Sequence, residues 1–189
     1  MLPLGTKAPD FKLPEVRSGS MQSLRDFAQH DALLVVFLCT HCPYVLHVAP
    51  ELARLTRDYE RKPLAIVGIT SNDVAQYPQD APEPTAQFAD AHGLHFPILY
   101  DASQAVAHAF SAACTPDFFL FNAERNLVYR GQLDSSRPSR GPDRPGSGEL
   151  NGDDLRTAIN ATFAHQPVAE LQRPSIGCSI KWKPGNEPR

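Results

Sequence analysis

Cys39 and Cys42 stand two residues apart in Cys39-Thr40-His41-Cys42-Pro43. Two thiols at that spacing can close a disulfide with each other and trade it with another disulfide through a mixed intermediate. The same spacing is also half of a structural zinc site, which needs two more ligands at comparable spacing. Cys114 and Cys178 are the only other cysteines; they lie far off, and neither has a close cysteine or histidine partner in sequence. His41 lies inside the motif, and His47 follows Cys42 by five residues. Five residues is about a turn and a half of helix, a poor position for sharing a metal with Cys42. Dithiol redox chemistry is therefore the preferred reading, with no metal and no cofactor expected.

The elements that must position the thiols can be read on either side of them. Leu33 to Leu38 is a continuous apolar run containing Val35, Val36 and Phe37, the pattern of a strand covered on both faces. Pro43 suits a first helical position, and Val45, Val48, Ala49, Leu52, Leu55 and Tyr59 then recur at helical spacing. The thiols thus sit where a buried strand hands over to a helix over 43–61, with Cys42 at the N-cap. Unpaired N–H groups and the helix dipole stabilise an anion there, which lowers a thiol pKa. Thr40 and His41 support the motif, His41 by changing thiolate character with its own protonation or simply as an exposed spacer.

The chain has 189 residues, enough for one domain with a core of its own. Hydrophobic residues make up 42% and charged residues 21%, the balance of a soluble globular protein. A net charge of −3 gives no reason to expect nucleic acid or an anionic membrane as partner. No apolar run approaches the ~20 residues a membrane helix requires. Met1 to Lys7 lacks the charged and then apolar regions of a signal peptide, so the expected location is the cytoplasm. In that compartment a Cys-x-x-Cys pair is more often catalytic than structural.

Around this centre the chain reads as alternating short elements. Asp10 to Leu13 is an extended piece between prolines, and a short helix is expected near Leu24 to Ala28. Leu64 to Ile69 is a second buried strand, completing a βαβ unit with parallel strands. Gln76 to Pro84 reads as a Pro-rich acidic loop, Pro84 to His92 as a helix stopped by Gly93, and Phe96 to Tyr100 as a short extended piece. Ser103 can cap a helix to about Phe110. Phe118 to Phe121 and Leu127 to Tyr129 are strands joined by a hairpin loop, and residues 132–149 read as a long surface loop. Arg137, Arg140 and Arg144 in that loop are better read as solvated than as an anion patch. Asn151 can cap a last helix with Asp153 and Asp154 in its first turn. The expected organisation is one domain over residues 1–165 and an irregular tail over 166–189 packed on it, without internal repeats.

A family resemblance joins these pieces. Gly5-Thr6-Lys7-Ala8-Pro9-Asp10-Phe11-Lys12-Leu13-Pro14 resembles the opening of the alkyl hydroperoxide reductase/thiol-specific antioxidant branch of the thioredoxin superfamily. The motif Cys39 to Val45 is joined by Ser71-Asn72-Asp73, Tyr77-Pro78 and Cys114-Thr115-Pro116-Asp117-Phe118-Phe119-Leu120. Further on come Tyr129-Arg130-Gly131-Gln132 and Pro174-Ser175-Ile176-Gly177-Cys178-Ser179-Ile180-Lys181-Trp182. Together these are similar to a narrower peroxiredoxin-like thioredoxin family and cover almost the whole chain. The resemblance implies a thioredoxin fold: a mixed central β-sheet flanked by helices, with an N-terminal extension. It also implies that the Thr115–Pro116 bond is cis and lies against the thiols.

Two departures from the pattern bear on mechanism. In the peroxiredoxin frame Cys42 takes the peroxidatic position, but Cys39 replaces the hydroxyl residue and Val35 the proline, and no activating arginine is identifiable near Cys114-Thr115-Pro116. Thioredoxin carries a buried acid on the strand before its motif, whereas Ala32 to Leu38 contains none. By analogy to thioredoxin Cys39 attacks and Cys42 resolves; by analogy to peroxiredoxin Cys42 is the reactive one.

Three readings of different class follow. The first is a thiol–disulfide oxidoreductase using Cys39 and Cys42. Its partner is a disulfide-bearing protein or a small disulfide or peroxide, its reductant is unnamed, and it works as a monomer or homodimer. The second is a thiol peroxidase with Cys42 peroxidatic. The third is a metal-binding protein using Cys39, His41, Cys42 and His47. Cys114 and Cys178 are either accessory thiols or small buried residues.

Overall fold

The computed structural model describes residues 2–188. Met1 and Arg189, the outer ends of the two expected segments, lie outside the described residues. The N-terminal part forms β1 (Lys12–Pro14) and β2 (Met21–Ser23), an antiparallel pair followed by one 3₁₀ turn at Leu24–Phe27. β1 starts two residues later than the expected Asp10, whose carboxylate instead accepts the N–H of Phe11.

The βαβ unit is β3 (Ala32–Phe37), α1 (Pro43–Asp58) and β4 (Leu64–Thr70), with β3 and β4 parallel in the register Leu34 to Ile66. α1 stops three residues before the expected end. Residues 59–62 form a turn ahead of Pro63, and a proline disfavours helical backbone in the residue before it. α2 (Pro82–Ala91) begins two residues before the expected Pro84, with Pro82 at the first position.

β5 (Ile98–Tyr100) is followed by α3 (Ala105–Ala109). The N-cap of α3 is Gln104, not Ser103. Gln104 adopts φ 65°, and its amide reaches the carbonyls of Ser71 and Lys181, while Ser103 Oγ still accepts the Ala105 N–H. β6 (Cys114–Thr115), β7 (Asp117–Phe121) and β8 (Leu127–Gly131) come next. α4 (Asp153–Phe163) is capped by Gly152 at φ 70°, not by Asn151, although Asn151 Oδ1 accepts the Asp153 N–H. A last strand, β9 (Cys178–Ser179), interrupts the expected irregular tail. The loop over 132–149 is not on the surface throughout. Its first residues Gln132, Leu133, Asp134 and Ser136 are buried, because Asp134 accepts the N–H groups of Ser136, Asn151 and Gly152.

The central sheet runs β5-β4-β3-β7-β8, parallel over the first three strands and antiparallel over the rest. β3 is the middle strand, and all six of its residues are buried. Leu34 and Val36 pack on one face with Val45, Leu52, Leu155 and Ile159. Leu33, Val35 and Phe37 pack on the other with Phe110, Phe119 and Phe121. Phe37 and Phe110 meet edge-to-face at 5.5 Å. Each such side chain contributes on the order of 1.5–3 kcal/mol when fully buried. The C-terminal end of this rigid strand carries Cys39. Among the described residues, no helix is long and apolar enough to cross a membrane.

Candidate redox site

Cys39 and Cys42 flank the turn from β3 into α1, and Cys42 is the N-cap residue, with extended backbone at φ −73° and ψ 124°. Pro43 opens the helix. All four cysteines are free thiols. Both motif sulfurs are covered, with Cys39 1% and Cys42 0% exposed. Thr115 spans the pair: its Oγ1 lies 3.2 Å from Cys39 Sγ, and its carbonyl accepts from the Cys42 thiol at 3.1 Å. The Thr115–Pro116 peptide bond is cis.

The two sulfurs are driven apart in acidity. Cys42 is pulled below the ordinary thiol range, first by a hydrogen bond from the Cys39 thiol. The Cys178 thiol and the N–H groups of Val45 and Cys178 also hold its negative charge. Burial opposes this and is outweighed. Cys39 is pushed up, first because its proton is held toward Cys42, then by burial and by the charge of Asp80 nearby. Each sulfur acts on the charge of the other, so the acidities belong to the pair.

Asp80 was not visible as a site residue in the sequence. It ends a 3₁₀ turn, Pro78–Asp80, inside the Pro-rich loop before α2, and it is fully buried. Its carboxylate accepts the Thr40 N–H at 2.8 Å, Thr40 Oγ1 at 2.8 Å and Asn72 Nδ2 at 2.7 Å, and it faces His41 Nδ1 at 3.0 Å. The buried acid absent from the strand is thus supplied from a different loop. The one signal for it was the pair of hydrogen-bonding residues, Thr40 and His41, held between two buried thiols.

The other motifs converge on the same place. His41 stacks on Tyr77, with ring centroids 5.5 Å apart and planes at 7°. Asn72 Oδ1 accepts the Lys181 N–H at 2.8 Å, and the Asp73 N–H donates to the Lys181 carbonyl at 2.8 Å. Those bonds bring the tail over the thiols. β9 pairs with β6, and Thr115 stands opposite Cys178. Cys114 is half-buried and burial pushes its thiol up to about 12; burial likewise raises Cys178 to about 11.

Arg130 is near this region but is committed elsewhere. It donates to Asp117 Oδ2 at 3.2 Å and to the Ser111 carbonyl at 2.9 Å, and lies over the Phe119 ring. For metal chemistry, Cys39, His41 and Asp80 present ligand atoms within 4.8 Å of one another. His47 is not part of that group: its Nε2 meets Ser136 Oγ at 2.8 Å.

A family model described as Redoxin matches residues 3–145. The chain belongs to the redoxin family. An uncharacterized conserved protein from Geobacillus kaustophilus has a crystal structure that superposes with a TM-score of 0.91 at 48% identity, over 98% of this chain and 95% of that one. The thiol-disulfide oxidoreductase ResA of Halalkalibacterium halodurans is 27% identical over 125 residues, 66% of this chain and 65% of ResA. The match therefore spans somewhat less than two thirds of that relative's length. The thioredoxin domain of a thiol-disulfide oxidoreductase from Bacteroides vulgatus covers 84% of this redoxin with a TM-score of 0.62 at 18% identity. That likeness, together with the mixed sheet and its flanking helices, gives the redoxin a thioredoxin fold.

Proposed function

We propose that this redoxin is a thiol–disulfide oxidoreductase whose centre is the Cys39/Cys42 dithiol. The observation that carries the reading is the place of the two thiols at the turn from β3 into α1, with Cys42 at the helix N-cap and both sulfurs in contact with Thr115. The lowered Cys42 pKa makes it the attacking sulfur. In the reducing direction, the Cys42 thiolate attacks a substrate disulfide. One S–S bond breaks, a mixed disulfide with Cys42 forms, and one substrate thiolate leaves. Cys39 then loses its proton and attacks Cys42 Sγ, expelling the second substrate thiolate and closing Cys39–Cys42. Asp80 is the group placed to take that proton, because its buried carboxylate lies within 4.8 Å of Cys39 Sγ and acts on its charge. An external dithiol of unspecified identity restores the centre. A cytoplasmic setting fits this direction of flow.

The substrate class is a disulfide-bearing protein or small disulfide. Fast peroxide reduction is not expected, because Arg130 is paired with Asp117 and not with a motif cysteine.

Titration of the purified protein against dithiol buffers, with alkylation and mass mapping, tests the reading. Cys39 and Cys42 are expected to oxidise together and reversibly, and Cys42→Ser to abolish turnover in a disulfide-reduction assay. A midpoint near ~−270 mV marks a reductant and one near ~−120 mV a disulfide donor. Failure of the two to form a disulfide with each other would overturn it.

A further inference from the structure

Cys178 is placed by the sheet, not by chance proximity. In β6–β9 the Cα partners are Thr115 with Cys178 and Cys114 with Ser179. Residues directly opposite in an antiparallel pair project to one face, and their neighbours to the other. Thr115 is the residue whose hydroxyl and carbonyl touch Cys39 and Cys42. Cys178 therefore shares the face of the dithiol, and Cys114 does not. Cys178 also packs against the apolar cluster that contains both motif cysteines.

The approach of the tail is built in on both sides of this residue. Upstream, Gly177 runs so close to the Thr115–Pro116 step that an added Cβ would lie 2.1 Å from the Thr115 carbonyl oxygen, far inside contact distance. Ser175 Oγ donates to the Gly131 carbonyl at 2.7 Å. Downstream, Lys181 is held by Asn72 and Asp73. Only a residue without a side chain fits position 177, and it delivers the following thiol to the centre. Cys39 and Cys42 are both buried, and Cys178 already packs against the cluster that holds them.

We propose that Cys178 is a third exchanging thiol, which closes a Cys42–Cys178 disulfide within the chain. This deepens the dithiol reading and rests on it. From oxidised Cys39–Cys42, the Cys178 thiolate attacks Cys42 Sγ. The Cys39–Cys42 bond breaks, the Cys42–Cys178 bond forms, and the electron pair leaves on Cys39. The proton given up by Cys178 matches the one Cys39 takes. Disulfide and electron counts are unchanged, so no oxidant beyond the original disulfide is consumed. From a mixed disulfide on Cys42, the same attack expels the substrate thiolate. Cys178 thus competes with Cys39 to resolve Cys42, and forming this bond fastens the tail over the centre.

The test uses the full-length Cys39→Ser variant treated with oxidised glutathione, trapped by alkylation and mapped by mass spectrometry. A Cys42–Cys178 disulfide is expected, with little glutathione left on Cys42. The Cys39→Ser/Cys178→Ser variant should instead retain the glutathione adduct. Adding Gly177→Ala to Cys39→Ser should slow closure by about tenfold or more, as the thiol loses its positioning. Wild-type protein, oxidised in graded steps, should yield both Cys39–Cys42 and Cys42–Cys178 species, which keeps the test open if a variant folds poorly. Absence of any Cys42–Cys178 disulfide in both wild type and Cys39→Ser overturns the proposal. The underlying reading is tested separately by Cys178→Ser: a reversible Cys39–Cys42 disulfide there upholds the dithiol centre even if the tail thiol takes no part.

Discussion

Asp80 Oδ2 lies 3.0 Å from His41 Nδ1, which ties the middle of the Cys-x-x-Cys turn to a fully buried carboxylate from another loop. The same carboxylate accepts both donors of Thr40. Asp80 therefore anchors the turn between the thiols, and its charge acts on Cys39.

Replacing Asp80 with Asn separates these two roles. The amide keeps the shape of the group but removes its charge and proton capacity. Disulfide reduction is expected to fall on the order of a hundredfold, the scale of positioned acid–base catalysis. Asp80→Ala should also lower stability by about 1–3 kcal/mol, because Thr40 N–H and Asn72 Nδ2 lose their acceptor in a buried setting. Stopped-flow turnover with denaturant melts of both variants checks this. Unchanged turnover in Asp80→Asn would remove Asp80 from the mechanism.

The depressed Cys42 pKa makes the reduced protein pH-sensitive. A group whose folded pKa lies below its unfolded value stabilises fully above the unfolded value, about 8.5 for a thiol, and loses that contribution as pH falls through the folded pKa. Stability of the reduced form should therefore decline on acidification below neutrality, and Cys42→Ser should flatten that decline. Ultraviolet thiolate absorbance gives the matching readout. About one thiolate per chain is expected near neutral pH in the wild type and none in Cys42→Ser, since Cys114 and Cys178 titrate only near 12 and 11.

Much of this architecture was legible because it rests on local patterns. The continuous apolar run of β3 and the helical stripe of α1 fix the place of the thiols, since a strand buried on both faces and an amphipathic helix each leave a period in the sequence. Asp80 was not legible, because nothing periodic marks a loop residue that folds back on a distant turn. The caps of α3 and α4 were misplaced by one residue for a related reason. Ser103 and Asn151 have the favoured side chains, but Gln104 and Gly152 occupy the left-handed positions that the chain path requires. β9 was hidden by its length of two residues, and its presence depends on Gly177 approaching the Thr115 carbonyl.

Thr115 should tune Cys39 through its hydroxyl alone. Thr115→Val keeps the shape and the backbone carbonyl but deletes the Oγ1 contact at 3.2 Å. That hydrogen bond favours the Cys39 thiolate, so its loss should raise the Cys39 pKa further and slow resolution of a mixed disulfide on Cys42. Single-turnover kinetics should show the second step slowed by about tenfold, the equivalent of one pKa unit, with the first step little changed. Equal slowing of both steps would mean that the hydroxyl serves the fold and not the exchange.

Behind the thiols, Arg130 and Asp117 form a buried pair, with burial raising the Asp117 carboxyl pKa against the pull of Arg130. Arg130→Met removes the only cation holding that carboxylate among the contacts described, and a buried charge left unpaired costs on the order of 3–5 kcal/mol. The sign of the pH response follows from a carboxyl whose folded pKa is raised. Its protonated form is the one the fold tolerates, so the variant should regain stability as pH falls from neutrality toward the Asp117 pKa and lose it again as pH rises. Chemical denaturation of wild type and Arg130→Met at neutral and mildly acidic pH measures this. A deficit that does not shrink on acidification would show that Arg130 contributes through packing on Phe119, not through its charge.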